Sequence, residues 1–191
     1  GFENFDNNKI DLEILKNKIY ENLENRNFNF KKSFFIDKSL ENFFYIDVIL
    51  KVFPKAVFIN TTRNIKDNIF AIYKQSLSKI SWTHSIQNIL EYIDNYFKVI
   101  KYFNQKYPDK IFSLNLEDLT NNSKELSKKI YNFCGLEWSE DTLNFDEKQN
   151  FLISTASNIQ VREKIKEYDI NKYKPYKVLL KSFLTKYDWL N

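Results

Sequence analysis

Apolar positions along the chain switch between two spacings, and the switches mark out its elements. In residues 9 to 25, "KIDLEILKNKIYENLEN", Ile10, Leu12, Leu15, Ile19 and Leu23 recur at roughly helical intervals, which predicts an amphipathic helix. "SFFI" at 33 to 36 is a short apolar run that predicts a strand, and "LENFFYIDVILKVF" from 40 to 53 predicts a helix stopped by Pro54. A second strand is predicted over "AVFIN" at 56 to 60, apolar until its last residue as suits a strand covered on both faces. A helix over about 65 to 78 and a longer one over about 84 to 106, ending before Pro108, lead to a third strand, "IFSLNL", at 111 to 116. "NSKELSKKIYNFCG" then predicts a helix closed by Gly135. Beyond 139 the pattern loosens: "NFDEKQNFLISTASNIQ" reads as a loop before a final helix over about 175 to 187.

That order of strand, helix, strand, helices, strand, helix predicts an α/β fold, a parallel sheet flanked by helices. At 191 residues with 43% hydrophobic content the chain can bury one core, and no repeat or low-complexity linker divides it, so a single domain over 1–191 is expected. Asn, Lys, Ile and Phe are abundant while Gly, Pro and Met are scarce, a compositional drift that strips single Asn and Lys positions of meaning. The net charge of +4 comes from lysines mixed with carboxylates, with no basic run of the kind that tracks a nucleic acid. No apolar stretch approaches a membrane span and "GFENFDNNKIDLEIL" is no signal peptide, which points to a soluble, cytoplasmic chain without a membrane partner. The single Cys134 excludes an intramolecular disulfide, and Phe133 and Leu136 beside it favour a buried thiol.

The drift toward lysine makes arginine conspicuous. Of 29 basic residues, all but Arg26, Arg63 and Arg162 are lysine. Arginine's planar fork of donors fits phosphate and sulfate oxygens as lysine's flexible point charge does not. In an open parallel sheet, ligands sit beyond the carboxyl ends of the strands. Arg63 follows "AVFIN" by three residues and Lys38 follows "SFFI" by two, so both overhang one edge if those strands are neighbours. The plain alternative is two solvated loop charges. The helix expected just after Arg63 adds free N–H groups and a positive dipole end. Gly1 and Gly135 are the only glycines, so a phosphate-cradling glycine loop does not fit within the chain. His84, in "SWTHS", reads as a capping or packing residue or as a contact for an acceptor substrate. Glu117, in "NLEDL", reads as a cap of the following helix, and Trp82 and Trp138 as core. No strand end carries a carboxylate placed for magnesium, so no metal is expected.

"FIDKSLENFFYIDVILKVFPKAVFINTTRNIKD", followed by "IFSLNLEDLT", "IYNFCGLEW" and "TASNIQVREKI", resembles the sulfotransferase superfamily, in particular the bacterial tetratricopeptide-linked and the tyrosylprotein sulfotransferases. The likeness covers roughly residues 33 to 180, and its specificity lies in the order and spacing of motifs that are weak singly. It implies a P-loop NTPase-like α/β fold and 3′-phosphoadenosine 5′-phosphosulfate (PAPS) as co-substrate, with a hydroxyl-bearing acceptor: a peptide tyrosine, a carbohydrate or a small alcohol. It also implies that Arg63 binds the donor's 3′-phosphate and that Lys38, in "DKS", lies near the transferring sulfuryl group. Ser157 and Gln160 match a loop that closes over the donor, and Lys172, in "INKYKPY", matches a donor-binding lysine. Arg162 reaches the donor or pairs with Glu163 or Glu167, and Tyr73 or Tyr173 are candidate walls of the adenine pocket.

The chain departs from that family in three places. A serine common eight residues after the arginine is Ala71 here, and the proline usual after "DK" is replaced around Leu40. The N-terminal strand and the glycine-rich loop for the 5′-phosphosulfate are missing, and would lie upstream of Gly1. The chain is therefore expected to be an incomplete part of a sulfotransferase, inactive alone, with an apolar edge open to the missing N-terminal segment or to a second copy in a homo-oligomer. The alternative is a noncatalytic nucleotide-binding or interaction domain of the same fold, with Ala71 as its mark. A P-loop kinase relative is disfavoured by the lack of a magnesium-binding carboxylate.

Overall fold

Asp11 sets the start of the first helix in the computed structural model, which describes residues 11–26, 28–31, 34–144 and 173–191. Its carboxylate accepts from the N–H groups of Glu13 and Ile14 at 3.0 and 3.1 Å, donors that the helix itself leaves unmatched. From there α1 (Leu12–Asn25) runs as predicted. The chain divides into two compact units, Gly1–Ala56 and Val57–Asn191.

In the first unit the strand predicted at 33–36 is not found: its described residues, 34–36, are irregular. Phe35 enters an aromatic cluster instead, its ring centre 5.6 Å from that of Phe28 and 5.8 Å from that of Phe53. Phe28 in turn lies 5.3 Å from Phe30. Edge-on ring pairs of this kind stabilise by about 0.5–1.5 kcal/mol beyond the area they bury. Phe34, Phe35 and Ile36 all remain exposed, Phe35 the least of the three. A short apolar run is compatible with either outcome, because only a neighbour's N–H and C=O groups make it a strand. The helix predicted over 40–53 is also split. A 3₁₀ turn, Asn42–Phe44, precedes α2 (Ile46–Val52), whose C-cap, Phe53, is the residue before Pro54.

In the second unit β1 (Phe58–Thr62) and β2 (Ile111–Asn115) pair in parallel, from Phe58 opposite Ile111 to Thr62 opposite Asn115. β1 lies two residues later than its apolar run because pairing sets its bounds. The Phe58 N–H donates to Lys110 O at 2.8 Å to open the ladder, and the β-branched Thr61 and Thr62 extend it. No tight turn can join parallel strands. The connection here holds α3 (Ile65–Gln75), a 3₁₀ turn Ser81–His84, and α4 (Ile86–Lys106). α5 (Leu116–Asn121) and α6 (Ser123–Phe133) follow β2. The result is the predicted α/β arrangement, a parallel sheet flanked by helices, with two strands among the described residues where three were expected. α6 ends on Gly135 at φ +67°. There the Gly135 N–H donates to Asn132 O at 3.0 Å and the Leu136 N–H to Tyr131 O at 2.8 Å, which satisfies the carbonyls of the last turn.

α4 supplies more of the core than any other element. Ile89, Leu90 and Ile93 are buried against Ile69 and Phe70 of α3 and against Leu180, Tyr187 and Leu190 near the end of the chain. Each such side chain contributes roughly 1.5–3 kcal/mol by leaving water. The C-terminal segment is held along the same helix by polar contacts: Trp189 Nε1 donates to Asp94 Oδ1 at 3.1 Å, and Trp189 packs 5.2 Å from Phe97. The final helix predicted over about 175 to 187 is a 3₁₀ helix, Lys174–Phe183. Side chains three residues apart eclipse in that winding, and Leu180 and Phe183, three apart, both face the core.

Candidate functional site

β1 and β2 end side by side, and each turns straight into a helix through an asparagine cap. Asn64 Oδ1 accepts from the Asp67 N–H at 3.1 Å to start α3, and Asn115 Oδ1 accepts from the Asp118 N–H at 3.1 Å to start α5. The strand ends are tied across the sheet by Glu117, whose Oε1 accepts from the Asn64 N–H at 2.6 Å. Tyr96 of α4 fixes β1 from its helix side by donating its hydroxyl to Asn60 Oδ1 at 2.6 Å. Burial pushes that hydroxyl's pKa above its ordinary value.

Arg63 stands in the turn between β1 and α3, half-buried. Its Nε donates to Asn68 Oδ1 at 3.0 Å, one turn into α3. Among the described residues no carboxylate pairs with its guanidinium. The N–H groups of Ile65 and Lys66, in the first turn of α3, likewise have no acceptor among the described residues. A guanidinium held at one nitrogen, with its terminal N–H groups open, beside a helix N-terminus is suited to an oxyanion.

The other sequence candidates fall in different places. Lys38 lies in the first unit and is exposed. It rides on a turn rather than on a strand end, which corrects the basis on which it was placed beside Arg63: the strand paired with β1 is β2. Asp37 builds that turn, accepting from the Ser39 hydroxyl at 2.6 Å, the Ser39 N–H at 3.0 Å and the Asn42 amide at 3.0 Å. His84 ends the 3₁₀ turn before α4, with Nε2 at 3.0 Å from Leu77 O. A carbonyl only accepts, so Nε2 carries the hydrogen and donates, which ties the exposed ring to the segment before it. Trp82 stacks on Tyr92 at 3.9 Å, and Trp138 Nε1 donates to Ser127 Oγ at 2.9 Å. Tyr173 packs 6.1 Å from Phe70, while Tyr73 is exposed on α3. Cys134 is half-buried, and burial raises its thiol's pKa. Ser157, Gln160, Arg162 and Lys172 lie outside the described residues. No helix among the described residues is long and apolar enough to cross a membrane.

Two residues of this edge escaped the sequence reading. Asn68 carries no signal in a chain rich in asparagine. Glu117 was read as a local cap, yet its observed partner is 53 residues away.

Residues 2–140 match the model of the Sulfotransferase family. That span contains Lys38, Arg63, Ala71, His84 and Glu117 and stops short of Ser157, Gln160, Arg162 and Lys172. An uncharacterized protein of Aquifex aeolicus (strain VF5) is 26% identical over 149 residues, which are 76% of this chain and 19% of the relative. The chain thus spans about a fifth of the length of the curated relative it matches.

Proposed function

The chain belongs to the sulfotransferase family, and from that premise we propose that it serves sulfuryl transfer from PAPS to a hydroxyl acceptor, with Arg63 holding the donor's 3′-phosphate. The acceptor oxygen forms a bond to sulfur as the bond from sulfur to the bridging oxygen breaks. Adenosine 3′,5′-bisphosphate leaves with the electron pair, and the acceptor's hydroxyl proton passes to water. As in phosphoryl transfer, the work is positioning and neutralising charge on oxygens, which Lys and Arg do without redox chemistry.

The observation that carries this reading is Arg63: a scarce arginine, pinned at Nε by Asn68 and with no carboxylate partner among the described residues, at the carboxyl end of a parallel strand. Lys38 has the role of steadying the bridging oxygen. The lysine, serine and glutamine of the later loop (Lys172, Ser157, Gln160), with Arg162, complete the donor grip in this proposal, and His84 lies on the acceptor side. The likeness to tetratricopeptide-linked and tyrosylprotein sulfotransferases makes a peptide tyrosine, a carbohydrate or a small alcohol the acceptor classes to try. A noncatalytic nucleotide-binding domain is the second reading, favoured by Ala71, where a methyl replaces a hydroxyl one turn beyond Asn68 on the same helix face.

Calorimetry on the full-length protein tests the assignment. Charge-assisted hydrogen bonds contribute about 1.5–3 kcal/mol, so Arg63→Ala is expected to weaken adenosine 3′,5′-bisphosphate about ten- to a hundredfold and to leave 5′-AMP nearly unchanged. Equal losses for both ligands would defeat it. In the same series, Lys38→Ala should lower turnover of labelled PAPS far more than donor affinity. Donor binding without turnover across the acceptor panel would select the noncatalytic reading.

A further inference from the structure

We infer that Glu117 is the positioning residue of the Arg63 turn. Its carboxylate, in the first turn of α5 just past β2, holds the chain after β1 so that the Arg63 guanidinium is set before the anion arrives. The inference rests on the reading of Arg63 as the 3′-phosphate residue.

Three observations carry it. The first is the 2.6 Å hydrogen bond from the Asn64 N–H to Glu117 Oε1, which joins the residue next to Arg63 to the start of α5, just beyond β2. The second is what that bond replaces. In a capping box a Ser or Thr cap receives the third N–H of its helix, and a Glu or Gln at that third position reaches back to the cap's own N–H. α3 has the first half of this exchange, Asn64 Oδ1 to the Asp67 N–H, and it has an acid at the third position. The cap's N–H nonetheless goes to Glu117, so the turn takes its position from the sheet edge and not from its own helix alone.

The third observation is the cost of the arrangement to Glu117. Its Oε2 is buried and has no partner among the described residues. A half-buried carboxylate with one oxygen buried and unpartnered is a poor choice for stability alone, and it is explained if the geometry it enforces is useful. With Asn68 fixing Nε and Glu117 fixing the adjoining peptide, Arg63 is constrained from both its side chain and its backbone. Preorganisation of this kind raises affinity by removing the ordering cost at binding.

The test is a double-mutant cycle on the full-length protein, read by calorimetry with adenosine 3′,5′-bisphosphate and 5′-AMP. Glu117→Ala should weaken the bisphosphate about tenfold and change 5′-AMP by less than about twofold, since only the 3′-phosphate feels Arg63. Glu117→Gln, whose amide oxygen still accepts from the Asn64 N–H, should stay within about threefold of wild type. In an Arg63→Ala background, Glu117→Ala should add nothing. Equal losses for both ligands, no loss for either, or a full additional loss in that background would overturn the inference. If Glu117→Ala does not fold, Glu117→Asp serves, because it keeps the charge and shortens the reach; wild-type selectivity in that variant would count against positioning. A selective loss in Arg63→Ala without one in the Glu117 variants sinks this inference alone, whereas an unselective Arg63→Ala sinks the reading beneath it.

Discussion

Asp37 builds the turn that carries Lys38, and its protonation should govern that turn. The Ser39 hydroxyl above all holds its carboxyl below the ordinary value of 3.8; burial opposes this second in size, and the Asn42 amide and Ser39 N–H add smaller lowering effects. A depressed value in the folded state means that the stabilisation is present above the ordinary value and is lost as pH falls through the lower, folded one. The stability gap between wild type and Asp37→Asn should therefore be widest near neutral pH and close as the pH drops below about 3.8. Urea unfolding at a series of pH values would show this; a gap constant down to strong acid would mean that the carboxylate's charge plays no part. At this scale Arg63 stood out because arginine is scarce, whereas the asparagine cap beside it carried no signal in a chain rich in asparagine. The placing of Lys38 was not legible, since it depended on "SFFI" being a strand. Nor was Glu117, since no local pattern reports a partner across the sheet.

Two helices end on left-handed residues, with different consequences. α6 closes at Gly135, φ +67°, and α3 at Ser76, φ +41°. A side chain in that region meets the following carbonyl at a cost of about 1–2 kcal/mol, which glycine avoids. Ser76→Gly should accordingly raise the unfolding midpoint, and Gly135→Ala should lower stability by about 1 kcal/mol. No atom lies within 4 Å of the Cβ added at Gly135, so the loss would be purely conformational. If neither midpoint moves, backbone strain does not control these ends. The contrast also explains which boundaries could be read. Gly135 announced the end of α6, whereas α3 stops at Gln75, short of the predicted 78, on a serine that gives no such signal. Periodicity found α4 because six buried residues repeat along it, and it misread 174–183 because a burial period of three resembles 3.6 over so short a span.

In the second unit the core is completed from far along the chain. Leu180, Tyr187 and Leu190 are buried against α3 and α4, although the family match ends at residue 140. Leu190→Ala should cost about 2–5 kcal/mol, as for other fully buried leucines, and denaturant unfolding should register it as a lower midpoint at unchanged slope. A loss below about 1 kcal/mol would mean that the C-terminal segment merely rests on a core already complete. The segment's position has a further consequence, one of time. Roughly a hundred residues separate Leu90 from Leu190, and at a synthesis rate of about 5–20 residues per second they take on the order of 5–20 s to appear. Throughout that interval the apolar faces of α3 and α4 wait for side chains that have not yet been made. Exposure to chaperones and to neighbouring nascent copies is then greatest while the chain is being synthesised, and ends when Leu190 docks.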